Sequence, residues 1–213
     1  MNIIILGPQG SGKGTQAELL AQKYDLDHFD TGRVLRQVAM LDTPLGQEVH
    51  EIVIVQKGLV PSRILKEILH IRLGDIPREQ GIVFDGIPRN LEQADYFEGA
   101  LQEFGRKIDK VFLVNIPETE SLKRISKRWM CKKCKTILIM GKDAENEKDL
   151  CRKCGGEIAQ RPDDTVAGVK TRLQIFREET LPVVEYFKQK GVVVEINGVQ
   201  PAEKVFADIV KNL

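Results

Sequence analysis

The sequence predicts an α/β fold of three layers, a five-stranded parallel sheet between helices, interrupted by two insertions. Three observations carry that expectation. Short runs of strand length recur at residues 2–6, 27–29, 82–84, 110–114 and 192–196. The charged amphipathic stretches between them are long enough for the crossover helices that parallel strands require. Two stretches break the alternation: residues 31–73 read as wholly helical, and residues 129–162 add no strand and hold every cysteine of the chain. The division that follows is a core of residues 1–30, 74–128 and 163–213, a helical insertion at 31–73 and a cysteine insertion at 129–162.

The elements can be justified in order. Residues 2–6 form an apolar run that stops at Gly7, and 11–24 follow as good helix formers with apolar residues at helical spacing. In the helical insertion, a helix over 45–57 contains Ile52-Val53-Ile54-Val55, four β-branched residues where helix propensity is poor. On a helical wheel Leu45, Val49, Ile52 and Val53 share a face that packs onto the next helix, 61–73. Ile54 falls on the opposite side, beside Gln47, His50, Glu51 and Lys57. A monomer is expected, and a homo-oligomer built on that exposed isoleucine is the alternative.

Composition narrows the class of function. A chain of 213 residues, 42% of them hydrophobic, can bury one substantial core. Its 32 Lys and Arg nearly balance 31 Asp and Glu, so no overall basic field exists to hold nucleic acid or an anionic membrane. Any polyanion must be gripped locally. The apolar stretches are strand-length and no cationic leader precedes the first strand, which predicts a cytoplasmic protein without a membrane span.

Gly7-Pro8-Gln9-Gly10-Ser11-Gly12-Lys13-Gly14-Thr15 lies between the first strand and its helix. A glycine-rich turn there lets backbone N–H groups surround phosphate oxygens, with the helix N-terminus adding favourable dipole and Lys13 a point charge. The spacing fits G-x-x-x-x-G-K, with Gly14 where a hydroxyl residue usually follows and the hydroxyl one place later, at Thr15. Close strand-to-helix packing alone would not call for a lysine at that position.

The cysteines form two pairs, Cys131-x-x-Cys134 and Cys151-x-x-Cys154, sixteen residues apart, with Gly155-Gly156 after the second. That is the spacing of two knuckles closing one tetrahedral thiolate site, and zinc is the first choice. Four protein ligands leave no position for substrate, so the metal is expected to be structural, replacing a core in an insertion too small to have one. Lys132, Lys133, Lys135, Arg152 and Lys153 surround the knuckles, which is also how a nucleic-acid-binding ribbon looks. Only Trp129 offers a stacking surface nearby, and the balanced overall charge argues against that reading.

The run Gly12 to Gln16 resembles that of adenylate kinases and their nucleoside monophosphate kinase relatives. Thr31-Gly32 with Arg36, then Asp85-Gly86-Ile87-Pro88-Arg89, then Arg161-Pro162-Asp163-Asp164 resemble further motifs of that family in its order, with Gln93 and Arg172 at matching offsets. The resemblance runs the length of the chain to Ile196-Asn197-Gly198. It implies a P-loop nucleotide-phosphate fold with an insertion that binds the monophosphate, a zinc-binding lid, and Mg2+-dependent transfer of a phosphoryl group from ATP to AMP. UMP, CMP or GMP are the alternative acceptors, and other triphosphates are alternative donors.

By resemblance, Thr31, Gly32, Arg36, Gly58, Leu59, Val60, Gly86, Ile87, Pro88, Arg89 and Gln93 line the AMP site, with Arg36 and Arg89 on the phosphate and Gln93 on the base. Gly10, Ser11, Gly12, Lys13, Gly14 and Thr15 hold the donor phosphates, Arg124 lies flat on the donor base, and residues after Gly198, Gln200 among them, meet its edge. Lys13, Arg89, Arg128, Arg161 and Arg172 bear on the transferring group, the last two also reaching AMP, and Asp85 holds magnesium through water. The residues support this independently: moving a phosphoryl group between two nucleotides asks mainly for aligned, neutralised phosphates, so arginines must converge. Arg124 and Arg128, four apart on one predicted helix, share a face.

The chain departs from the family pattern at Arg33, Ser62 and Asn115, each where Asp is usual, at Ile87, where Phe is, and at Asn90, where Thr is. Arg33 removes a carboxylate from the expected magnesium shell. His28, His50 and His70 have no partner at metal or triad spacing and read as core or surface residues.

Overall fold

A computed structural model describes residues 1–56, 58–161 and 164–213. Lys57, Pro162 and Asp163 lie outside them, and with them the end of the helix expected at 45–57 and the middle of the Arg161–Asp164 motif. In chain order the elements are β1 (Asn2–Leu6), α1 (Lys13–Tyr24), β2 (Asp27–Asp30), α2 (Thr31–Val38), α3 (Pro44–His50) and α4 (Ser62–Asp75). Then come β3 (Ile82–Asp85), α5 (Leu91–Glu103), β4 (Lys110–Asn115), α6 (Glu118–Ser126), β5 (Arg128–Cys131), β6 (Ile137–Ile139) and β7 (Ile158–Ala159). The chain finishes with α7 (Val166–Ile175), α8 (Leu181–Gln189), β8 (Val193–Asn197) and α9 (Ala202–Lys211).

The main sheet has five parallel strands in the order β2-β3-β1-β4-β8. Its central strands are apolar at nearly every position because helices cover both faces. Ile3, Ile5, Val83, Phe112 and Val114 pack with Ala17 and Leu20 of α1 and Val205 and Ile209 of α9. The alternate residues Ile4, Leu6, Phe84, Val111 and Leu113 pack with Leu69 of α4, Phe97 of α5 and Phe187 of α8. Each such side chain contributes about 1.5–3 kcal/mol of burial. Strand order reverses at β1, with β3 on one side and β4 on the other, and ligands of such sheets bind at that switch point beyond the carboxyl ends of the strands.

The described part of residues 31–73 holds helices and turns and no strand, as its pattern predicts, and Leu35, Val49, Val60, Ile64 and Leu65 give it a small core of its own. The helix expected at 45–57 runs unbroken from Pro44 to Val55, but its winding changes on the way. α3 ends at His50, and the β-branched run winds as a π-helical turn, Glu51–Val55, with Gln56 N–H donating to Glu51 O at 2.9 Å. Ile52 and Val53 do pack on that core. The wider turn carries Ile54 away from the outer surface: it is half-buried and lines the central cleft with His50 and Val53. Val55, 55% exposed, is the residue of the run that faces out, so the apolar patch expected at Ile54 is not an external surface.

The cysteine insertion, expected to add no strand, holds a three-stranded antiparallel sheet in the order β6-β5-β7. Strands of two to four residues carry too little pattern to be read from sequence. Cys131, Leu138, Ala144, Cys151 and Ile158 are buried together, with Trp129 against them. The helical spacing of Arg124 and Arg128 also misleads, because α6 stops at Ser126 and Arg128 opens β5.

Candidate active site

A single cleft of about 1340 Å3 runs from the first strand-to-helix loop, past the ends of β2 and β3, to α2 and the π-helical turn. Its floor is the loop 7–15. Gly10 and Gly12 hold left-handed φ of 80° and 91°. A side chain at Gly12 would meet nothing within 4 Å, so conformation and not space requires glycine there. Gly12 occupies the N-cap of α1 without a side-chain cap, which leaves the first N–H groups of the helix to a ligand. Ser11 is buried with its Oγ unpartnered, and Ser121 Oγ donates to the Gln9 carbonyl, tying the loop to α6.

Lys13, Arg36, Arg89, Arg124, Arg128, Arg161 and Arg172 all line this cleft, although they come from six separate stretches of chain. Arg124 is fixed by Glu120 (2.7 Å) and donates to the Gly198 carbonyl (2.9 Å), spanning the phosphate loop and the turn after β8. Arg128 forms a two-pronged pair with Asp164, Nε to Oδ2 at 2.8 Å, and Arg172 Nη1 lies 3.8 Å from the same carboxylate. In the orientation that satisfies the Gln9 amide, its oxygen accepts from Arg172 at 3.0 Å and Arg128 at 3.2 Å. Arg89 Nε donates to the Gly86 carbonyl at 2.7 Å, and Thr180 Oγ1 donates to the Arg89 carbonyl at 2.9 Å.

Crowded cations in a partly dry site carry an electrostatic cost. Desolvation pulls the Lys13 ammonium down to about 8, helped by Arg89 and Arg128 and opposed by Asp85 and Asp30. Arg89 is lowered by burial first and by Arg172 second. Such a cluster is satisfied by incoming phosphate.

Toward α2, Thr31 is 3% exposed with Oγ1 unpartnered, and Gly32, Gly58, Leu59, Val60 and Gly86 join the lining. Gln93 is 1% exposed and held by two bonds: Asn90 Oδ1 caps α5 by accepting from Gln93 N–H, and Gln93 Oε1 accepts from Arg89 N–H, each at 2.8 Å. Its amide nitrogen is left for a ligand. Ile87 and Pro88 do not belong to the lining. Both are buried, and Ile87 packs in the main core with Phe84 and Phe97. They lie between Gly86 and Arg89, both of which line the cleft.

Gln200, after β8, lines the cleft, and its Nε2 donates to Asp208 Oδ2 at 2.6 Å. Thr15 lines it too and is exposed. Asp85 is 8% exposed, ends β3 and has Oδ1 buried without a partner. His28 and Asp30 were missed by sequence reasoning as cleft residues: β2 brings both into the lining, with His28 Nε2 3.9 Å from Asp85 Oδ2. The available signal was the polar Asp-His-Phe-Asp composition of a short strand in an otherwise apolar sheet. His50 also reaches the cleft, whereas His70 sits outside it, 3.3 Å from Glu103 and edge-on to Phe104.

The four cysteine Sγ atoms lie within 4.8 Å of one another. Cys131 to Cys154 is 3.5 Å and Cys134 to Cys151 is 3.7 Å, near the ~3.8 Å edge of a thiolate tetrahedron around zinc. Lys135 and Gly155, each four residues after the first cysteine of its pair, share left-handed φ of 61° and 67°, so the two knuckles match. Hydrogen bonding with Thr136 brings the Cys134 thiol down to about 6, while contact with Cys134 pushes Cys154 up to about 11. Full ionisation of the set therefore calls for a cation. The residues fit a four-coordinate metal.

A phosphate loop at the switch point of a parallel sheet, faced by converging arginines across a cleft, defines a P-loop phosphotransferase acting between nucleotides. The adenylate kinase family model matches residues 5–192. An adenylate kinase of Archaeoglobus fulgidus is 37% identical over 98% of this chain and 96% of its own length. Those of Syntrophomonas wolfei (36%, over 100% and 99%) and Dehalococcoides mccartyi (38%, over 98% and 96%) are similar at comparable levels. The chain belongs to the adenylate kinase family and is a nucleoside monophosphate kinase that transfers a phosphoryl group from ATP to AMP.

Proposed function

We propose that the phosphate loop with Lys13, Arg124 and Arg128 binds ATP, that Arg36, Arg89 and Gln93 bind AMP, and that Lys13, Arg89, Arg128, Arg161 and Arg172 neutralise the group in transit. The observation that carries this reading is the convergence of seven basic side chains from both ends of the chain on one cleft. Their work is alignment and charge neutralisation, which is most of what phosphoryl transfer asks of a protein. Mg2+ accompanying ATP would help neutralise the phosphates. Asp85, with an unpartnered buried oxygen at the cleft floor, is the residue that fits its hydration shell.

We also read residues 31–73 and 129–162 as parts that close over the core of residues 1–30, 74–128 and 163–213, excluding water that would otherwise hydrolyse the donor. Lys135 and Lys153 line the cleft and Lys132 is paired with Glu157 at 2.7 Å, which supports a lid over nucleotide more than a nucleic-acid module. No helix among the described residues is long and apolar enough to cross a membrane. Four thiols at metal-ligand spacing suit a reducing compartment, which supports a cytoplasmic location.

A coupled assay across AMP, UMP, CMP and GMP, with ATP as donor, tests the acceptor. AMP should be the best by a wide margin; a pyrimidine or guanine monophosphate in first place would overturn the role of Gln93. Elemental analysis should find about one zinc per chain, as one four-thiolate site requires, and zinc-free protein with normal stability would overturn the lid metal.

A further inference from the structure

We propose that Asp30 is a second carboxylate of the donor-site magnesium shell, holding with Asp85 the water molecules of the divalent ion that accompanies ATP. The inference rests on the magnesium reading of Asp85 above and extends it to a residue that neither the motifs nor the family resemblance singled out.

The main argument is strand register. β2 and β3 are parallel neighbours, and Asp30 is the direct partner of Asp85 at their carboxyl ends. Adjacent strands run about 4.8 Å apart, so the two residues are backbone neighbours at the strand ends beside the phosphate loop. Both line the cleft. Asp85 Oδ2 is so near the loop that a side chain at Gly14 would meet it at 3.0 Å. Waters neighbouring each other on Mg2+ are about 3 Å apart, and the ion keeps several of them on binding protein, so two flanking carboxylates match its hydrated form.

Charge balance points the same way. A third aspartate, Asp164, lies behind two of the cleft's arginines and is neutralised by them, Arg128 and Arg172. Asp30 has no ion pair within 4 Å among the described residues, and the nearest cationic candidate to Asp85 is His28, at 3.9 Å. Asp85 Oδ1 is nevertheless buried and unpartnered, in a residue 8% exposed. Both carboxylates act on Lys13 and Arg89 at longer range. Anionic ATP would meet two anionic groups here, and a divalent cation between them removes the conflict. Asp30 is preorganised: its Oδ1 accepts from Arg33 N–H at 2.8 Å, capping α2, which fixes the side chain and leaves Oδ2.

Capping α2 is the structural role that must be told apart from metal binding, and asparagine caps a helix as well as aspartate does. The test is Asp30→Asn in the full-length protein, with the protein in excess over ATP and no AMP present. Mn2+ is titrated in and followed by electron paramagnetic resonance. Mn2+ affinity of the complex should fall about tenfold, at the lower end of what losing an outer-shell partner costs. Metal-free ATP binding in EDTA should be unchanged or tighter, and the melting temperature should hold. If metal-free binding weakens as much as Mn2+ binding, the residue is structural and the proposal fails. Asp30→Ser also keeps a capping oxygen and replaces the asparagine variant if that one does not fold. Asp85→Asn separates the two readings. Weakened Mn2+ binding there with none in the Asp30 variant overturns the role of Asp30 alone, and unchanged binding in both overturns the magnesium reading itself.

Discussion

Replacing Lys13 with Ala should lower kcat/KM by about a thousandfold, the loss typical when a preorganised charge facing the transferring group is removed, while the fold stays intact. Lys13 sits at the start of α1 in the cleft floor, with Asp85 and Asp30 as its nearest balancing charges and desolvation against it. Taking away a strained cation relieves the free protein, so melting temperature should hold or rise. Steady-state kinetics and a thermal melt check both halves, and a variant with near-normal turnover would refute the phosphate-loop assignment. The same lysine sets a pH dependence. In the free protein its ammonium titrates near 8, and bound phosphate raises it, so ATP affinity should be full below pH 8 and decline above it. Lys13→Ala should flatten that decline. The contribution to stability runs the other way: the unfolded lysine keeps its proton up to 10.5, so the cost of burying the charge is present below 8 and is lost as pH rises from 8 to 10.5.

Arg89→Ala should cost about a hundredfold in kcat/KM, as truncating one side of a desolvated charge pair does, with KM for AMP rising more than KM for ATP. Arg89 follows β3, is oriented by the Gly86 carbonyl and has Gln93 Oε1 on its backbone N–H. Truncating it strips the acceptor phosphate of a partner but keeps the backbone N–H that holds Gln93, so the loss falls on the phosphate contact. Kinetics with each substrate varied in turn would show the split. Equal weakening for both nucleotides would count against an acceptor clamp.

The sequence alone determined a good deal, because the signals involved are local. Five strand-length runs separated by amphipathic stretches specify a parallel α/β sheet, since each strand buried on both faces must be apolar throughout. Gly7 to Thr15 specify a phosphate loop because backbone N–H groups can turn inward only where glycine allows it. Two Cys-x-x-Cys pairs foretell a cluster of four thiols that could hold one metal ion, because four such ligands fit one tetrahedron. Only the tertiary structure decided what depends on neighbours distant in sequence. The β-branched run at 52–55 reads as an ordinary helix face, but it winds as a π turn and carries Ile54 into the cleft. Ile87 sits inside a binding motif, yet the core packs around it. Arg128 has left the helix of Arg124, and a carboxylate 36 residues further along the chain holds it. His28 and Asp30 look unremarkable on their own strand, and pairing with β3 brings them to Asp85. Periodicity reports which way a side chain points from its own element, and the long-range pairing of strands and packing of helices set what it then faces.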